Sequence, residues 1–421
     1  MSKRITTIIL ALALSAMQAA SCAADTLDLA ALLSEAEANS PSLASMRAKL
    51  DASRERIPQA GALDDPMLGV GIQNLPVDSF AFDTEPMTSK MLEVSQTFPY
   101  WGKRPLRREA AERESESLAA EYDDGRLMLR AEVKSAYFEL YSVRKGIETV
   151  EKNIALMDVF TRLAETRYSV GMGTMRDVIK SQVETAMLVE KRLDLEREDR
   201  VKRAYLASLI GRDRPVEGGV PDITPTPVQY DRETLAARAA ESRPAMRSAL
   251  YKIKKGEAMV ELARKEAYPD FTISATYMQR DDLRIGMEQP DMVAALLTVN
   301  LPVWRAAKLD PMVREAAFEK AMAENEMESV RTGIYYKTGS LMDEVAQYDR
   351  IMKLYRDTLI PHGTDDMDAV LANYEVGKSD FMDLLESRRA LYDFELTYHE
   401  TLAMREKAVA ELEAATGVEF K

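Results

Sequence analysis

The chain has 421 residues, of which 30% are charged and only 7% aromatic, and its formal net charge is −14 at pH 7. Such a composition is typical of long helices rather than of compact cores. The acidic balance argues against a nucleic-acid partner, which would need a basic face. It leaves two interpretations open: a protein that handles cations or a basic partner, or an acidic surface that only provides solubility.

The first residues have the order of an export signal. A basic start, Lys3 and Arg4, precedes an apolar run that ends near Ala20, and residues 1–24 are therefore predicted to be a signal peptide. Cys22 is the only cysteine, which excludes internal disulfides. Because Cys22 follows small residues in a pattern that resembles a bacterial lipoprotein site, its lipidation is an open alternative to simple cleavage. No later segment offers about 18 consecutive apolar residues.

An internal duplication is the strongest signal in the sequence. At an offset of 203 residues, Pro66 falls on Pro269, and Trp101 falls on Trp304, the only other tryptophan. Further along, the offset becomes 206 residues and again joins rare residue types. These pairs are Tyr168 with Tyr374, Gly171 with Gly377, Asp177 with Asp383, and Gly211 with Gly417. So many coincidences predict two copies of one structural unit.

Each copy has the same predicted order of elements: a helix, two strands and a long helical hairpin. The first repeat is expected over 25–211 and the second over 232–421, joined by a proline-rich linker over 212–231. Helices that end at a proline are expected before the strands, at about Asp51–Ala62 and Gly256–Tyr268. The strands are expected at about 67–74, 90–98, 270–278 and 292–301. The helical hairpins are expected at about 105–210 and 311–416.

Apolar and polar residues alternate along the predicted strands. Leu68, Val70 and Ile72 alternate with glycine and glutamine, and Ile273 and Tyr277 alternate with serine and threonine. This pattern predicts a sheet with one apolar face, which suits either a wall between lipid and water or an ordinary half-buried sheet. Closed barrels of one chain begin at about eight strands. Four strands in a membrane would therefore require several chains.

The helical hairpins carry the pattern of a coiled coil. Residues 106–170 contain no proline, and two apolar rows repeat there every seven positions. The rows are Val133, Leu140, Ile147 and Ile154, and Ala136, Val143, Val150 and Met157. Glycine turns end both long helices, and Thr174 and Ser379 are expected to cap the returning helices. Pro361 is expected to interrupt and kink the second copy.

These features resemble the TolC family of outer-membrane efflux proteins over essentially the whole mature chain. The resemblance depends on the duplication, the strand positions, and a Val-Gly turn followed six residues later by aspartate. The matching turns are Val170-Gly171 with Asp177, and Val376-Gly377 with Asp383. The segment 95–103 resembles the strand-to-helix junction of the heavy-metal branch of that family.

The resemblance implies a mainly α fold with a small β part: two tandem repeats of long antiparallel coiled-coil helices, with one β-hairpin each. Three chains would form a homotrimer, sharing a 12-stranded β-barrel in outer-membrane lipid and an α-helical periplasmic tunnel. The implied partners are a periplasmic adaptor and an inner-membrane pump of the RND type. The chain would then be the passive exit duct of a tripartite efflux system for heavy-metal cations or drugs.

The resemblance also assigns roles to residues near the helical turns. The expected adaptor-contacting tips are Val170, Gly171, Met172, Gly173, Thr174, Val376, Gly377, Lys378 and Ser379. The expected periplasmic gate residues are Asp383, Glu386, Asp177 and Tyr374. Asp383 and Glu386 share one helical face, and a threefold ring of such acids would attract cations. The alternative is that Asp177 and Asp383 only favour a helix N-terminus. Ser379 stands where family members often carry a basic latch residue.

Neither an enzyme nor a cofactor or metal site is predicted. The sequence contains no nucleophile elbow, P-loop, zinc-ligand set or dinucleotide fingerprint, and His362 and His399 lie far apart. The 24 methionines offer thioethers that can bind Cu(I), but most have helical spacing, which favours packing. Two other functions stay open: the exit duct of a type I secretion system, and a non-channel periplasmic coiled-coil structural protein.

Overall fold

The computed structural model describes residues 26–420, so the predicted signal peptide and Cys22 lie outside the described residues. Within that range the chain is mainly helical with a four-stranded sheet, which confirms the predicted fold class. The elements of the first half are α1 (Leu29–Asn39), α2 (Pro41–Gly61), β1 (Met67–Gln73), β2 (Ser89–Phe98), α3 (Lys103–Ser169) and α4 (Met175–Leu209). Those of the second half are α5 (Arg232–Ser242), α6 (Pro244–Lys265), β3 (Phe271–Gln279), β4 (Met292–Val299), α7 (Asp310–Leu354), α8 (Ile360–Glu375) and α9 (Phe381–Thr416).

The helices before the strands are longer than predicted. α2 begins at Pro41 and α6 at Pro244, each shortly after the end of a short helix. Proline suits the first helical position, where its missing N–H would have had no helical partner. Both helices end several residues before Pro66 and Pro269. The expectation that these two prolines end the helices is therefore wrong, and Pro66 instead directly precedes β1.

Pro361 lies inside a helical run rather than at a helix end. α7 continues through a π-helical turn at Tyr355–Leu359 into α8, and Pro361 occupies the first turn of α8. The Ile360 N–H donates to the Tyr355 carbonyl oxygen, five residues back. A π turn shifts the hydrogen-bond spacing, which accommodates a following residue that lacks an N–H. The interruption predicted at Pro361 thus takes the form of this preceding turn.

Contacts divide the chain into two compact units. The helical unit consists of the described residues up to Ser45 with Asp123–Arg243 and Thr332–Lys421. The sheet unit consists of Met46–Tyr122 and Pro244–Arg331. Each unit takes residues from both sequence repeats, so the two copies are intertwined within each unit.

The core of the helical unit is the predicted coiled-coil seam. Val133 and Leu140 of the first row are fully buried, as are Val150 and Met157 of the second row. Part of this seam packs against Leu384 of α9 in one continuous apolar cluster. Burying a side chain of this size contributes about 1.5–3 kcal/mol. The seven-residue rows therefore act as core positions, as predicted.

The sheet unit contains an antiparallel sheet in which β1, β2, β3 and β4 are neighbours in chain order. The register joins the two repeats at β2 and β3, where Phe98 pairs with Phe271. Within the described residues, β1 and β4 each have a strand neighbour on one side only. The sheet therefore has two open edges.

Lys103 fixes the strand-to-helix junction of the sheet unit. Its side chain is fully buried, and its ammonium donates to Glu266 Oε2 at 2.9 Å, Asp270 Oδ1 at 2.9 Å and the Tyr268 carbonyl oxygen at 3.1 Å. These three acceptors use its full donor capacity. Asp270 Oδ1 also accepts the Tyr100 N–H at 2.7 Å. One lysine of the first repeat is thus tied to the helix–strand connection of the second.

We predict that Lys103→Met lowers the free energy of unfolding by roughly 3 kcal/mol, because it leaves the partly buried carboxylate of Asp270 without its cation and leaves Glu266 with only a 3.6 Å contact to Arg107. Guanidinium unfolding in detergent, followed by the loss of helical signal, measures the change. The matched control is Lys320→Met, which removes a lysine from mostly exposed ion pairs and should have a clearly smaller effect. Equal effects of the two substitutions would contradict the assigned role of Lys103.

Candidate functional site

The two helical tips have the same backbone geometry. Gly171 and Gly377 both have φ of 76°, in the left-handed region that favours glycine. The Gly171 N–H donates to the Tyr168 carbonyl oxygen at 3.0 Å, and the Gly377 N–H donates to that of Tyr374 at 3.1 Å. In each copy the next N–H reaches back five residues, at 2.8 Å. The predicted glycine turns are confirmed as left-handed helix ends.

Capping boxes begin both returning helices, and one cap differs from the prediction. Thr174 caps α4 as expected, and Asp177 accepts the Thr174 N–H in return, at 3.1 Å. Asp380, rather than Ser379, caps α9: its Oδ1 accepts the Asp383 N–H at 2.9 Å. The expectation for Ser379 is wrong because α9 begins one residue later than the pattern suggested. Since Asp383 accepts the Asp380 N–H at 3.2 Å, it stabilises the turn whatever else it does.

The predicted gate acids lie on the outside of α9. Asp383 and Glu386 are both exposed, whereas Leu384 and Leu385 between them are buried in the coiled-coil cluster. The helix therefore presents the two carboxylates on one accessible face. Asp177 is only partly exposed. This arrangement leaves the carboxylates of Asp383 and Glu386 accessible to ions.

Arg167 joins the two tips, and the sequence analysis did not identify it. Its guanidinium carbon lies 4.5 Å from the centre of the Tyr374 ring, and it donates to the carbonyl oxygens of Tyr374 and Met172. The available signal was a basic residue in the last turn of a long helix, where it can satisfy free carbonyls. Arg167 thus binds the first tip to the last turn of α8.

Tyr374, a predicted gate residue, is buried beneath this contact. Burial raises the pKa of the Tyr374 hydroxyl, the negative charge of Asp177 raises it further, and Arg167 opposes both. Its hydroxyl has no hydrogen-bond partner among the described residues. In a single chain, Tyr374 therefore acts through its ring, which also packs against Phe381 at 5.7 Å between centroids.

A buried ion cluster crosses the helical unit further from the tips. Arg388 of α9 is 2% exposed; it donates to Asn153 Oδ1 at 3.1 Å and lies 3.6 Å from Glu184 Oε2. Burial lowers the pKa of Arg388, although the negative charge of Glu184 opposes this. Arg389 also donates to Glu184. This cluster ties α9 to α3 and α4, and the sequence analysis did not identify it either.

The sheet has one apolar and one mainly polar face, and the apolar face is exposed. Strand register places ten exposed large apolar residues on the first face, and Val70 and Val293 are 79% and 78% exposed. The ten are Leu68, Val70, Ile72, Leu92, Val94, Phe98, Ile273, Tyr277, Val293 and Leu297. The other face carries Glu93, Ser95, Thr97, Thr272, Ser274, Thr276 and Thr298. A contiguous exposed apolar surface of this kind marks contact with lipid or another protein.

Residues 26–420 contain neither a membrane-spanning helix nor a cluster of common metal ligands. No helix there is both long and apolar enough to cross a membrane. Histidine, cysteine, aspartate and glutamate side chains in the same range form no group of three or more that could hold a metal ion.

We predict that Asp380→Ala speeds hydrogen exchange in the first turn of α9 about fivefold, because loss of an N-cap side chain costs about 1 kcal/mol. Amide hydrogen exchange measured by mass spectrometry reports the change. Ser379→Ala, one residue earlier, is the matched control and should leave the exchange unchanged. A larger effect of Ser379→Ala would restore Ser379 as the cap.

Comparison with known proteins shows similarity along nearly the whole chain. A family model described as "Outer membrane efflux protein" matches residues 32–212 and 235–418, one stretch in each repeat. The chain is 20% identical over 400 residues to the cobalt-zinc-cadmium resistance protein CzcC of Cupriavidus metallidurans, covering 94% of this chain and 91% of that protein.

Solved outer-membrane proteins share the fold. The structure of VceC from Vibrio cholerae matches with a TM-score of 0.77 at 20% identity, covering 93% of this chain and 97% of that one. The structure of CusC matches with a TM-score of 0.78 at 15% identity, covering 93% and 92%.

Proposed function

The chain belongs to the outer membrane efflux protein family, and we propose that three copies of it assemble into the passive exit duct of a tripartite efflux system. Members of this family export substances across the outer membrane, and they are channels rather than enzymes. Our proposal concerns the number of chains in the duct, its contact with lipid, its partner proteins and its cargo.

The open edges of the four-stranded sheet are the observation that supports a trimer. Its exposed apolar face fits hydrocarbon, yet its two edge strands leave backbone N–H and C=O groups without strand partners within residues 26–420. Each such group costs several kcal/mol in a bilayer core, so only closed sheets persist there. Three chains with four strands each give a 12-stranded barrel, which is within the known range of closed barrels. The polar face would then line the water-filled interior.

The helical tips are the proposed contact with a periplasmic adaptor. Val170 and Val376 are each 63% exposed and Met172 is 61% exposed. Exposed apolar residues on a rigid turn are suited to docking against another protein. Through the adaptor, the duct would receive cargo from an inner-membrane pump of the RND type. The exposed apolar face of the sheet favours an efflux duct over a non-channel coiled-coil protein, because a coiled coil in water gains nothing from such a face.

The proposed cargo is a heavy-metal cation, and a drug is the alternative. The relative CzcC is named for cobalt, zinc and cadmium resistance, and this chain has a net charge of −14. Asp383 and Glu386, repeated by threefold symmetry, would form a ring of six carboxylates at the gate. Such a ring attracts cations and resists tight closure. A type I secretion duct would carry protein instead and is the second alternative.

We predict that Asp383→Asn with Glu386→Gln weakens block by a divalent cation about tenfold, because the charge that concentrates cations at the gate is lost. Amide substitutions are preferred to alanine, since an amide oxygen at position 383 can still accept the capping hydrogen bond. Single-channel conductance in planar bilayers measures the block, and Glu151→Gln with Asp158→Asn, which removes two exposed carboxylates from α3, is the control. Block unchanged by the double substitution would remove the gate role.

We predict that Gly171→Trp abolishes crosslinking to the adaptor while leaving the assembled trimer intact. A Cβ atom added at Gly171 meets no atom within 4 Å, so the cost at that position is backbone strain of about 1–2 kcal/mol. Gly171→Asn is the control, since asparagine tolerates the left-handed region with little added bulk. If Gly171→Trp prevents trimer assembly, the turn has only a structural role.

A further inference from the structure

Three methionines lie side by side across the sheet. The register pairs Met91 of β2 with Met278 of β3, and Met278 with Met292 of β4. Directly opposed residues of antiparallel strands have Cβ atoms about 4.5–5.5 Å apart. The three methionines therefore occupy one rung of the sheet, here called the methionine rung. They come from three strands and from both sequence repeats.

The methionine rung lies on the mainly polar face of the sheet. Residues two positions away along the strands, Glu93 and Thr276, point to the same side and are themselves paired. The fourth strand contributes Gly71 to the rung, opposite Met91. A Cβ added at Gly71 would lie 3.8 Å from the Met91 methyl carbon. Glycine therefore leaves open space into which the Met91 side chain extends.

Packing does not account for these three methionines. Met157, Met352 and Met367 are each at most 5% exposed and serve as core residues of the helical unit. By contrast, Met292 is 43% exposed, and Met91 is half-buried. Those three helical methionines fill a core, whereas the methionines of the rung line an accessible surface.

We propose that the methionine rung is a binding site for a soft monovalent cation, Cu(I) or Ag(I). Thioether sulfur is a soft ligand that selects such ions, and methionine's three flexible side-chain bonds let neighbouring sulfurs turn toward one ion. Because thioethers are neutral, the bound ion keeps its charge, and Glu93 on the adjacent rung supplies a compensating carboxylate. A site of this kind holds an ion weakly enough to release it, as conduction requires.

The inference deepens the proposed function, since it names a class of cargo, but binding itself needs neither pump nor adaptor. The test uses the detergent-extracted protein and Ag(I), which is stable in air. Equilibrium dialysis followed by elemental analysis measures bound silver. The variant is Met91→Leu/Met278→Leu/Met292→Leu, which keeps apolar bulk and removes sulfur. The control is Met128→Leu/Met322→Leu/Met404→Leu, which removes three exposed helical methionines.

The rung variant is expected to bind Ag(I) at least about tenfold more weakly than the wild type, and the control variant equally well. Equal binding by the rung variant and the wild type, or an equal loss in the control, overturns the proposal. A second measurement needs no variant: Ag(I) should protect Met91, Met278 and Met292 from peroxide oxidation in the wild type, as read by mass spectrometry. Absence of protection also overturns it.

Planar-bilayer conductance separates this inference from the proposed function. A conducting protein that does not bind Ag(I) loses only the methionine site. A protein that binds Ag(I) but does not conduct keeps the site and loses the duct.

Discussion

The unpaired backbone of two edge strands is the constraint on which the rest of the account depends. β1 and β4 each have one strand neighbour within residues 26–420, while the apolar face they border is exposed to its surroundings. Water could satisfy those edges, but it would not favour ten large exposed apolar side chains on one face. Hydrocarbon favours those side chains but cannot satisfy the edges. Additional copies of the chain resolve both conflicts. An edge strand of one chain pairs with an edge strand of the next, and the apolar face remains in contact with lipid.

In each unit, specific contacts join the two sequence repeats. In the sheet unit, β2 and β3 join the two repeats, and Lys103 fastens one junction to the other with three hydrogen bonds. In the helical unit, Arg167 fastens one tip to the other. The carboxylate of Asp383 closes the capping box of α9 by accepting the Asp380 N–H, and it lies on the exposed face with Glu386. A change of charge at the proposed gate is therefore coupled to the stability of the turn.

Sequence reasoning succeeded where a feature is set by local pattern. The period of seven identified Val133, Leu140 and Val150 as core, and the glycines at 171 and 377 were expected in the left-handed region. It failed where two neighbours were equally suited: serine and aspartate are both good N-caps, and in the structure the cap of α9 is Asp380 rather than Ser379.

Features that join distant parts of the chain were not accessible from the sequence. Arg167 contacts a turn about 200 positions away, and nothing in its own neighbourhood specifies that partner. The methionine rung depends on strand register, since a slip of one residue would move each methionine to the other face. A count of 24 methionines could not reveal it.

The central claim is that one chain is a third of a membrane duct, and native mass spectrometry of the protein extracted from outer membranes tests it most directly. Detergent should be needed for extraction, and the released complex should have three times the mass of the mature chain. A protein that stays monomeric and dissolved without detergent would contradict it.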